Sequence, residues 1–299
     1  MVFQNYNRET TIKWYDEHSK NYDNESFVPT DNQYAGDLYR IELVRKLLSE
    51  HKPEKVLDVG CGTGEPLIRL IDDGVDIRGF DFSPGMVAKA KEKLKARGIS
   101  ESLVEVGDLL DPNIVETYGA GQYDAVVANG ILPYIPERDI PHQHLSALVK
   151  PGGLYISAYS NSLFDLFTFN RFTMRFYTEN FIKPLGLSDT ESREIINQIE
   201  KLITNADKPS AIPEGARDTV FVRGDNPFEV GPNLVHYGLK QIDLLFYKFH
   251  ALPPLLKNTS PQIREIFMRE SRAYEIDRAR DWRGHFLAST FIIVCRKKA

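Results

Sequence analysis

Three glycines alternate with other residues in the segment DVGCGTG, residues 58–64. Glycine has no Cβ, so it adopts positive φ easily and lets a ligand lie directly against main-chain N–H groups. The run VLDV at residues 56–59 is short and apolar, which is typical of a buried strand. The segment therefore predicts a binding loop at the end of a strand.

Two acidic residues flank this loop and restrict the ligand that it accepts. Asp58 precedes the first glycine, Gly60, and Glu65 follows the last, Gly64. Loops that bind the pyrophosphate of NAD favour the spacing G-x-G-x-x-G, whereas this loop has G-x-G-x-G. Two carboxylates beside the turn would repel a diphosphate and would suit an ammonium group or another positive centre. The loop therefore argues against an NAD-dependent oxidoreductase.

The loop resembles the glycine-rich motif (D/E)-x-G-x-G-x-G of class I S-adenosylmethionine-dependent methyltransferases, with Asp58 as the leading acid. Other segments fit this family in order along the chain: GFDFS at the end of a second strand, VGDLLD at the end of a third, NGILPYI after a fourth, and KPGG before a fifth. The resemblance covers roughly residues 40–160 and the final two strands.

The resemblance implies that acids at successive strand ends bind the cofactor. Asp81 would hold the two ribose hydroxyls, because a carboxylate is a bidentate acceptor. Asp108 would accept from the adenine amino group, with the backbone of Leu109 beside it. From the residues alone, Asp81 and Asp108 could instead be helix caps or turn acids. The methionine part is assigned to Asp58, Gly60, Cys61, Gly62, Gly64, Asn129 and Gly130, and the remaining cofactor contacts to Tyr22, Phe82, Ser83 and Met86.

Methyl transfer from a sulfonium requires alignment of the acceptor and, for an alcohol, removal of a proton. The candidates for a catalytic role are His236, His250 and Tyr134, with packing as the alternative for Tyr134. His236 is predicted to begin the helix after an insertion, and His250 to end the sixth strand on the cofactor side. His142 and His144 are interpreted as exposed or capping residues. No carboxylate and histidine cluster has metal-ligand spacing near strand four, so no metal is predicted.

Strands and helices alternate between residues 37 and 160, which implies parallel pairing through helical crossovers. The predicted fold is α/β: a doubly wound, seven-stranded, mostly parallel sheet of the Rossmann-like methyltransferase type, with a helical insertion after strand five. Residues 1–36 form an N-terminal arm, 37–160 the cofactor-binding core, 161–232 an inserted substrate lid, and 233–299 the rest of the sheet.

The arm and the insertion are predicted to enclose the acceptor. The arm segment WYDEHSKNYD resembles one that folds over the cofactor in many small-molecule methyltransferases, where Tyr15 and Tyr22 would exclude water. Anchoring of the arm to the core is the alternative. The insertion carries aromatic residues for an acceptor pocket, the core of the lid or a homodimer contact, and arginines for an anionic acceptor. These are Phe164, Phe167, Phe169, Phe172, Phe176, Tyr177 and Phe181, with Arg171, Arg175, Arg217 and Arg223.

The composition restricts partners and location. The net charge is −5 and there is no long basic run, so nucleic acid and anionic membranes are disfavoured. Cys61 and Cys295 lack metal-ligand spacing and suit a reducing compartment. The N-terminus has no apolar signal segment, and no long apolar run spans a membrane. We therefore expect a cytoplasmic protein.

The sequence predicts a methyltransferase that uses S-adenosylmethionine, releases S-adenosylhomocysteine and modifies a small molecule, by O-methylation of a sugar or another metabolite. The alternatives are N- or C-methylation of a metabolite, or a scaffold that binds the cofactor without turnover. Methylation of nucleobase amines is disfavoured because NGILPYI departs from the Asn/Asp-Pro-Pro-aromatic signature.

Overall fold

A computed structural model describes residues 7–28, 36–169, 171–204, 222–250 and 261–299. Within these residues one sheet has eight strands, seven of them in a continuous order. The strands are β1 (Lys55–Val59), β2 (Asp76–Asp81), β3 (Val104–Val106), β4 (Tyr123–Ala128), β5 (Val149–Asn161), β6 (Gly224–Asp225), β7 (Leu239–Phe249) and β8 (Ala288–Lys297).

The strand order is β3-β2-β1-β4-β5-β8-β7, and the two-residue β6 pairs with the end of β5. Strands β1 to β5 pair in parallel, whereas β8 lies antiparallel between β5 and β7. The predicted mostly parallel, seven-stranded sheet is confirmed, with β6 as an addition. The carboxyl ends of β1 to β4 therefore meet at one edge, where ligands bind in open α/β sheets.

Helices cover both faces of the sheet. They are α1 (Arg8–His18), α2 (Tyr22–Phe27), α3 (Gly36–His51), α4 (Glu65–Asp72), α5 (Pro84–Ala96), α6 (Ile114–Tyr118), α7 (Asp139–Leu148), α8 (Arg171–Tyr177), α9 (Asp189–Thr204), α10 (Pro227–Leu234), α11 (Pro261–Tyr274) and α12 (Gly284–Leu287). Apolar side chains of α3, α4 and α5 form the core on one face, and those of α6, α7 and α10 form the core on the other. This two-sided core is the doubly wound arrangement.

Local sequence signals set the helix starts that matter for the edge of the sheet. Ser83 caps α5 by accepting a hydrogen bond from the Met86 amide, and Pro84 occupies the first turn, where a missing N–H costs nothing. Gly64 precedes α4 with φ 75°, and Pro66 follows in its first turn. Both helices therefore begin directly behind the loops after β1 and β2.

The region after β5 departs from the alternating pattern. It contains a 3-10 segment (Ser162–Phe167), then α8, a π-helical turn (Thr178–Ile182) and α9. Strand β6 and most of helix α10 lie inside the predicted insertion, yet β6 pairs with β5 and α10 packs on β7. The chain thus rejoins the sheet at Gly224. None of the described helices is both long and apolar enough to cross a membrane.

Candidate functional site

A cavity lies at the carboxyl ends of β1, β2, β3 and β4. Its floor is formed by the loops that follow these strands, its roof by α1 and α2, and one side by α3. The arm therefore covers the edge of the sheet at which the sequence predicts cofactor binding.

The cavity brings together most residues that the sequence predicts for the cofactor. Its lining includes Tyr22, Asp58, Gly60, Cys61, Gly62, Asp81, Phe82, Met86, Asp108, Leu109, Asn129, Gly130 and the catalytic candidate Tyr134. Gly64, Ser83, His236 and His250 are outside the lining. The structure places the lining residues at the cavity, and their roles in binding remain proposals.

The glycines of the loop have different structural roles. Gly62 has φ 55°, and a Cβ built on it would meet nothing within 4 Å, so its backbone is open towards the cavity. A Cβ on Gly64 would lie 2.9 Å from the Cβ of Ala90 in α5. Gly64 therefore allows α4 to begin close to α5, which is a packing role.

Asp81 connects the loops after β1 and β2. One carboxylate oxygen accepts a hydrogen bond from the Gly62 amide at 2.9 Å, and the other accepts one from the Ser83 amide at 2.9 Å. Burial raises the pKa of Asp81 to about 6, although these two amides favour its ionised form. Asp81 thus both faces the cavity and holds the glycine loop in place.

A buried aspartate and a buried arginine lie together where the sequence predicts binding of the methionine part. Asp58 is 2% exposed, and burial raises its pKa to about 7, while Arg40 lowers it and Asp81 raises it. Arg40 of α3 also lines the cavity and lies 3.3 Å from Asp37. Asp58 Oδ2 and Arg40 Nε are both buried and have no hydrogen-bond partner among the described residues. Such unpaired atoms are costly, and a zwitterionic ligand would satisfy both.

Asp108 lines the cavity after β3 and is held by neighbouring groups. Its Oδ1 accepts a hydrogen bond from the Leu110 amide at 2.9 Å, and Arg8 of α1 forms an ion pair with its Oδ2. The Leu109 carbonyl accepts a hydrogen bond from His144 at 2.7 Å, which fixes the loop from the other side. Asp108 is therefore an ordered turn acid as well as a cavity residue.

Polar contacts attach the arm to the cofactor loops. Asp16 accepts hydrogen bonds from the Ser83 hydroxyl at 2.5 Å and from the Gly85 amide at 2.8 Å, at the start of α5. Asp23 forms an ion pair with Lys93 and a hydrogen bond with Thr63 of the glycine loop. The arm thus has anchors on the loops after β1 and β2, in addition to the pair between Arg8 and Asp108.

Aromatic side chains separate the cavity from solvent beneath the arm. Tyr15 packs edge-on against Phe82 and Tyr134, with ring centroids 5.8 and 5.9 Å apart. Burial raises the pKa of Tyr15 and of Tyr22 above the ordinary value. Both hydroxyls are therefore neutral near pH 7, so they can donate hydrogen bonds but do not act as bases.

Glu65 has a different role from the one inferred from its spacing. It pairs with Arg69 at 2.9 Å and with Lys93 at 3.3 Å, and it does not line the cavity. Burial opposes ionisation, but these two cations lower the pKa of Glu65 overall. The charge of Glu65 is thus neutralised by cations outside the cavity. Of the two carboxylates predicted to repel a diphosphate, only Asp58 lines the cavity.

The two histidines predicted to act in catalysis lie away from the cavity. Helix α10 begins at Pro227, where Asn226 caps it, so His236 follows this helix in an exposed turn instead of starting it. His250 does follow β7 at the expected edge, but it packs against Phe164 with ring centroids 4.7 Å apart. The β7 strand lies beyond β5 and β8, which separates His250 from the strands that form the cavity.

His142 is a buried residue, and its interpretation as exposed or capping is wrong. It is 5% exposed, and its Nε2 lies 3.2 Å from the Tyr159 hydroxyl. Burial, together with a smaller effect of the nearby Arg138, lowers the pKa of His142 to about 4. His142 is therefore neutral near pH 7 and belongs to the core between α7 and β5.

The predicted aromatic set of the insertion does not line the cavity within the described residues. Phe164 and Phe176 are buried, whereas Phe169 and Phe181 are exposed. Arg175 is paired with Asp165 at 2.6 Å, which makes it part of the insertion's own core. Arg217 and the side chain of Arg171 lie outside the described residues.

Arg40 is the main cavity residue that the sequence reasoning missed. It lies on the same helical stripe as Leu43, Val44 and Leu47, which are all buried. A cation at an apolar position of an amphipathic helix is a signal for a buried partner or ligand. That signal was present in the sequence, but identifying the partner required knowledge of the fold.

Comparison with known proteins identifies the family of the chain. A sequence model described as "Methyltransferase domain" matches residues 50–206, which is more than half of the chain. The chain belongs to this family. Its sequence-based recognition as a class I S-adenosylmethionine-dependent methyltransferase is thereby confirmed.

Curated relatives of this methyltransferase include magnesium-protoporphyrin O-methyltransferase from Rhodobacter capsulatus, 33% identical over 35% of the chain and 44% of the relative. The ubiquinone biosynthesis O-methyltransferase from Bordetella avium (strain 197N) is 28% identical over 47% of the chain and 53% of the relative. The chain therefore spans about half the length of these relatives. The crystal structure of magnesium protoporphyrin IX methyltransferase from Synechocystis PCC 6803 has a TM-score of 0.56 at 13% identity, over 98% of this chain and 100% of that one, which shows the same fold.

The residues of the cavity fit S-adenosylmethionine, the cofactor of this class. The cofactor combines an amino-acid zwitterion, a ribose and an adenine, and the unpaired atoms of Arg40 and Asp58 match the charges of the zwitterion. Asp81 and Asp108 stand at the next two strand ends. Within the described residues, no group of three or more His, Cys, Asp or Glu side chains has a geometry that would hold a metal ion.

Proposed function

We propose that this methyltransferase transfers the methyl group of S-adenosylmethionine to an oxygen atom of a small-molecule acceptor. The observation that carries the proposal is the buried pair of Arg40 and Asp58. Both residues line one cavity, and each has a buried atom without a partner among the described residues. A ligand with a carboxylate and an ammonium group would remove both penalties at once.

In this proposal, each part of the cofactor has its own contacts. Arg40 binds the carboxylate and Asp58 the ammonium group, with Asn129 and Gly130 beside them. Asp81 retains free lone pairs for the ribose, because each oxygen accepts only one of its two backbone bonds. Asp108 serves the adenine amino group. The apolar walls of the adenine site are Phe82, Met86 and Leu109.

The bound cofactor supplies an electrophilic methyl group, and the chain has to align the acceptor and keep water out. Tyr15, Tyr22 and Tyr134 form the cover of the cavity, which supports a role in excluding water. Tyr134 is the catalytic candidate that lies at the cavity, and we assign its hydroxyl to orientation of the acceptor. His236 and His250 are not retained as proposed bases.

The relatives favour oxygen as the methylated atom, since two of them are named O-methyltransferases. Carbon is the second candidate, because another relative is named demethylmenaquinone methyltransferase. A panel of phenols, carboxylic acids, sugars and enolisable ketones with labelled methyl donor separates these classes. The sugar acceptor and the self-association predicted from the sequence stay predictions, and exposed Phe181 and Leu185 are the surface on which self-association would rest.

Calorimetry with two ligands tests the assignment of Arg40. S-Adenosylhomocysteine has the amino-acid part, whereas 5′-methylthioadenosine has the nucleoside without it. We expect Arg40→Met to weaken binding of S-adenosylhomocysteine by about 10- to 100-fold, which corresponds to about 1.5–3 kcal/mol for hydrogen bonds to a charged group. Binding of 5′-methylthioadenosine should change much less.

Arg45→Met is the matched control, because Arg45 lies on the same helix but pairs with Glu42 and Asp73 at the surface. Equal losses for both ligands in Arg40→Met would indicate a distorted cavity and would contradict the assignment. Tight binding of NAD with no heat from S-adenosylhomocysteine in the parent protein would refute the proposed function itself.

A further inference from the structure

The loop of residues 131–138 after β4, which we name the β4 loop, forms one wall of the cavity. Ile131, Tyr134 and Ile135 contribute to this wall. Tyr134 also contacts the arm, where its ring packs edge-on against that of Tyr15 with the centroids 5.9 Å apart. The position of the β4 loop therefore affects both the cavity and its cover.

The other side of the β4 loop is fixed by an internal arginine. The Arg138 guanidinium donates to the carbonyls of Leu132 and Ile135, which places it across the loop. Its second terminal nitrogen lies 2.7 Å from Asp225 Oδ2. The side chains of Arg138 and Asp225 are only 9% and 7% exposed, so this ion pair is largely removed from solvent.

A second arginine binds the same loop from the returning end of the insertion. The Arg223 amide donates to the Pro133 carbonyl at 2.8 Å, and its guanidinium donates to the Pro136 carbonyl at 2.8 Å. Arg223 also lies 3.3 Å from Asp225. Asp225 itself is held in β6 by pairing with Asn161 of β5.

These contacts provide hydrogen-bond donors for backbone carbonyls of a proline-containing loop. The segment LPYIP at residues 132–136 has two prolines, which donate no backbone hydrogen bond, and its carbonyls need donors from elsewhere. Arg138 and Arg223 supply those donors, and Asp225 orients both guanidinium groups. None of the three residues lines the cavity.

We propose that Arg138, Arg223 and Asp225 are positioning residues of the methyl-transfer site. They hold Tyr134 against the arm, so the returning end of the insertion sets the shape of the cofactor cavity. The inference rests on the proposed function, because its effect is exerted on the site that binds the cofactor. It assigns to the insertion a second role besides enclosing an acceptor.

Binding of S-adenosylhomocysteine to Arg223→Met and Asp225→Asn tests this inference. The chain has two tryptophans, and in a Trp282→Phe background fluorescence reports Trp14 of the arm alone, since Trp282 is the exposed one. We expect Arg223→Met to weaken binding by roughly 3- to 10-fold, because it removes a charged donor to the loop. The Trp14 signal change on binding should decrease with it.

A double-mutant cycle with Tyr134 separates positioning from general destabilisation. In a Tyr134→Ala background the further change Arg223→Met should leave affinity unaltered, because the side chain that it positions is gone. Arg280→Met is the matched control: Arg280 is similarly half-exposed (48% against 45%) and bonded to a carboxylate, Asp243. It should bind like the parent.

Several outcomes would overturn the inference. Parent-like affinity in Arg223→Met, or a loss of equal size with and without Tyr134, would show that Arg223 does not affect binding by positioning Tyr134. If Asp225→Asn does not fold, Arg138→Met with Asp225→Leu removes both charges together and is expected to show the same loss. A parent protein that does not bind S-adenosylhomocysteine refutes the proposed function, and the inference with it.

Discussion

Asp81 serves the protein before any ligand binds, because it accepts backbone amides from the loops after both β1 and β2. The two amides belong to Gly62, which lines the cavity, and to Ser83, which does not. A carboxylate that orders its own binding loops is preorganised, so little conformational entropy remains to be lost on binding. Asp81 can therefore be a turn acid and also bind the ribose.

Replacement of Asp81 tests this double role. We expect Asp81→Ala to weaken binding of S-adenosylhomocysteine by about 1–3 kcal/mol, since a charged acceptor is removed and two amides are left open. Asp81→Asn keeps one acceptor oxygen and should lose less. Isothermal calorimetry measures both changes. An unchanged affinity in Asp81→Ala would show that the ribose assignment is wrong.

At the scale of elements, helix α1 contacts the start of α5 through Asp16. Asp16 sits at the N-terminus of α5 and accepts from Ser83 and Gly85, where the helix dipole favours a negative charge. Ser83 in turn donates its amide to Asp81. The arm is thus connected to the proposed ribose acid by consecutive hydrogen bonds.

Loss of this anchor should release the cofactor faster. We expect Asp16→Asn to raise the dissociation rate of S-adenosylhomocysteine by roughly 3- to 10-fold, because charge-assisted hydrogen bonds are replaced by neutral ones. Stopped-flow fluorescence of Trp14 in the Trp282→Phe background measures the rate. Glu17→Gln is the control, since Glu17 is exposed and pairs only weakly, at 3.9 Å, with Lys13. An equal rate in Asp16→Asn and Glu17→Gln would exclude Asp16 as an anchor.

Most of the core elements could be predicted because their signals are local. The apolar run of β1 and the ends of β2, β3 and β4 were all identified from the sequence. The strand ends then placed Asp58, Asp81 and Asp108 at one cavity, because parallel strands share their carboxyl edge.

The sequence did not predict contacts between distant segments. The hydrogen bond from Ser83 to Asp16 joins residues 67 positions apart, and the pair between Arg138 and Asp225 joins residues 87 positions apart. The two-residue β6 is too short to give a periodic pattern. The helix start before His236 was missed because Asn226-Pro227, a cap followed by proline, was assigned to the inserted lid.

At the scale of the whole molecule, buried ionisable groups make stability depend on pH. Burial raises the pKa of Asp58 to about 7 and that of Asp81 and Asp165 to about 6. Each folded-state carboxyl therefore keeps its proton where the unfolded chain has lost it, and its contribution to stability falls as pH rises. His142 acts in the opposite direction, because burial lowers its pKa to about 4.

Comparison of the parent protein with Asp58→Asn isolates one of these groups. The asparagine cannot ionise, so the parent should lose stability relative to Asp58→Asn between pH 4 and pH 7, by up to about 1.4 kcal/mol per pH unit. The contribution of His142 is common to both proteins and cancels. Urea unfolding at a series of pH values measures the difference.

The same measurement connects stability to the proposed binding mode. Saturating S-adenosylhomocysteine should reduce the pH dependence that Asp58 causes, because an adjacent ammonium group favours the ionised carboxylate. The parent should therefore release protons when it binds the ligand near pH 7, and Asp58→Asn should release fewer; calorimetry in buffers of different ionisation enthalpy detects this. A difference in unfolding free energy that is flat from pH 4 to pH 7 would mean that Asp58 is already ionised in the folded protein, and the charge match with Arg40 would then need no ligand.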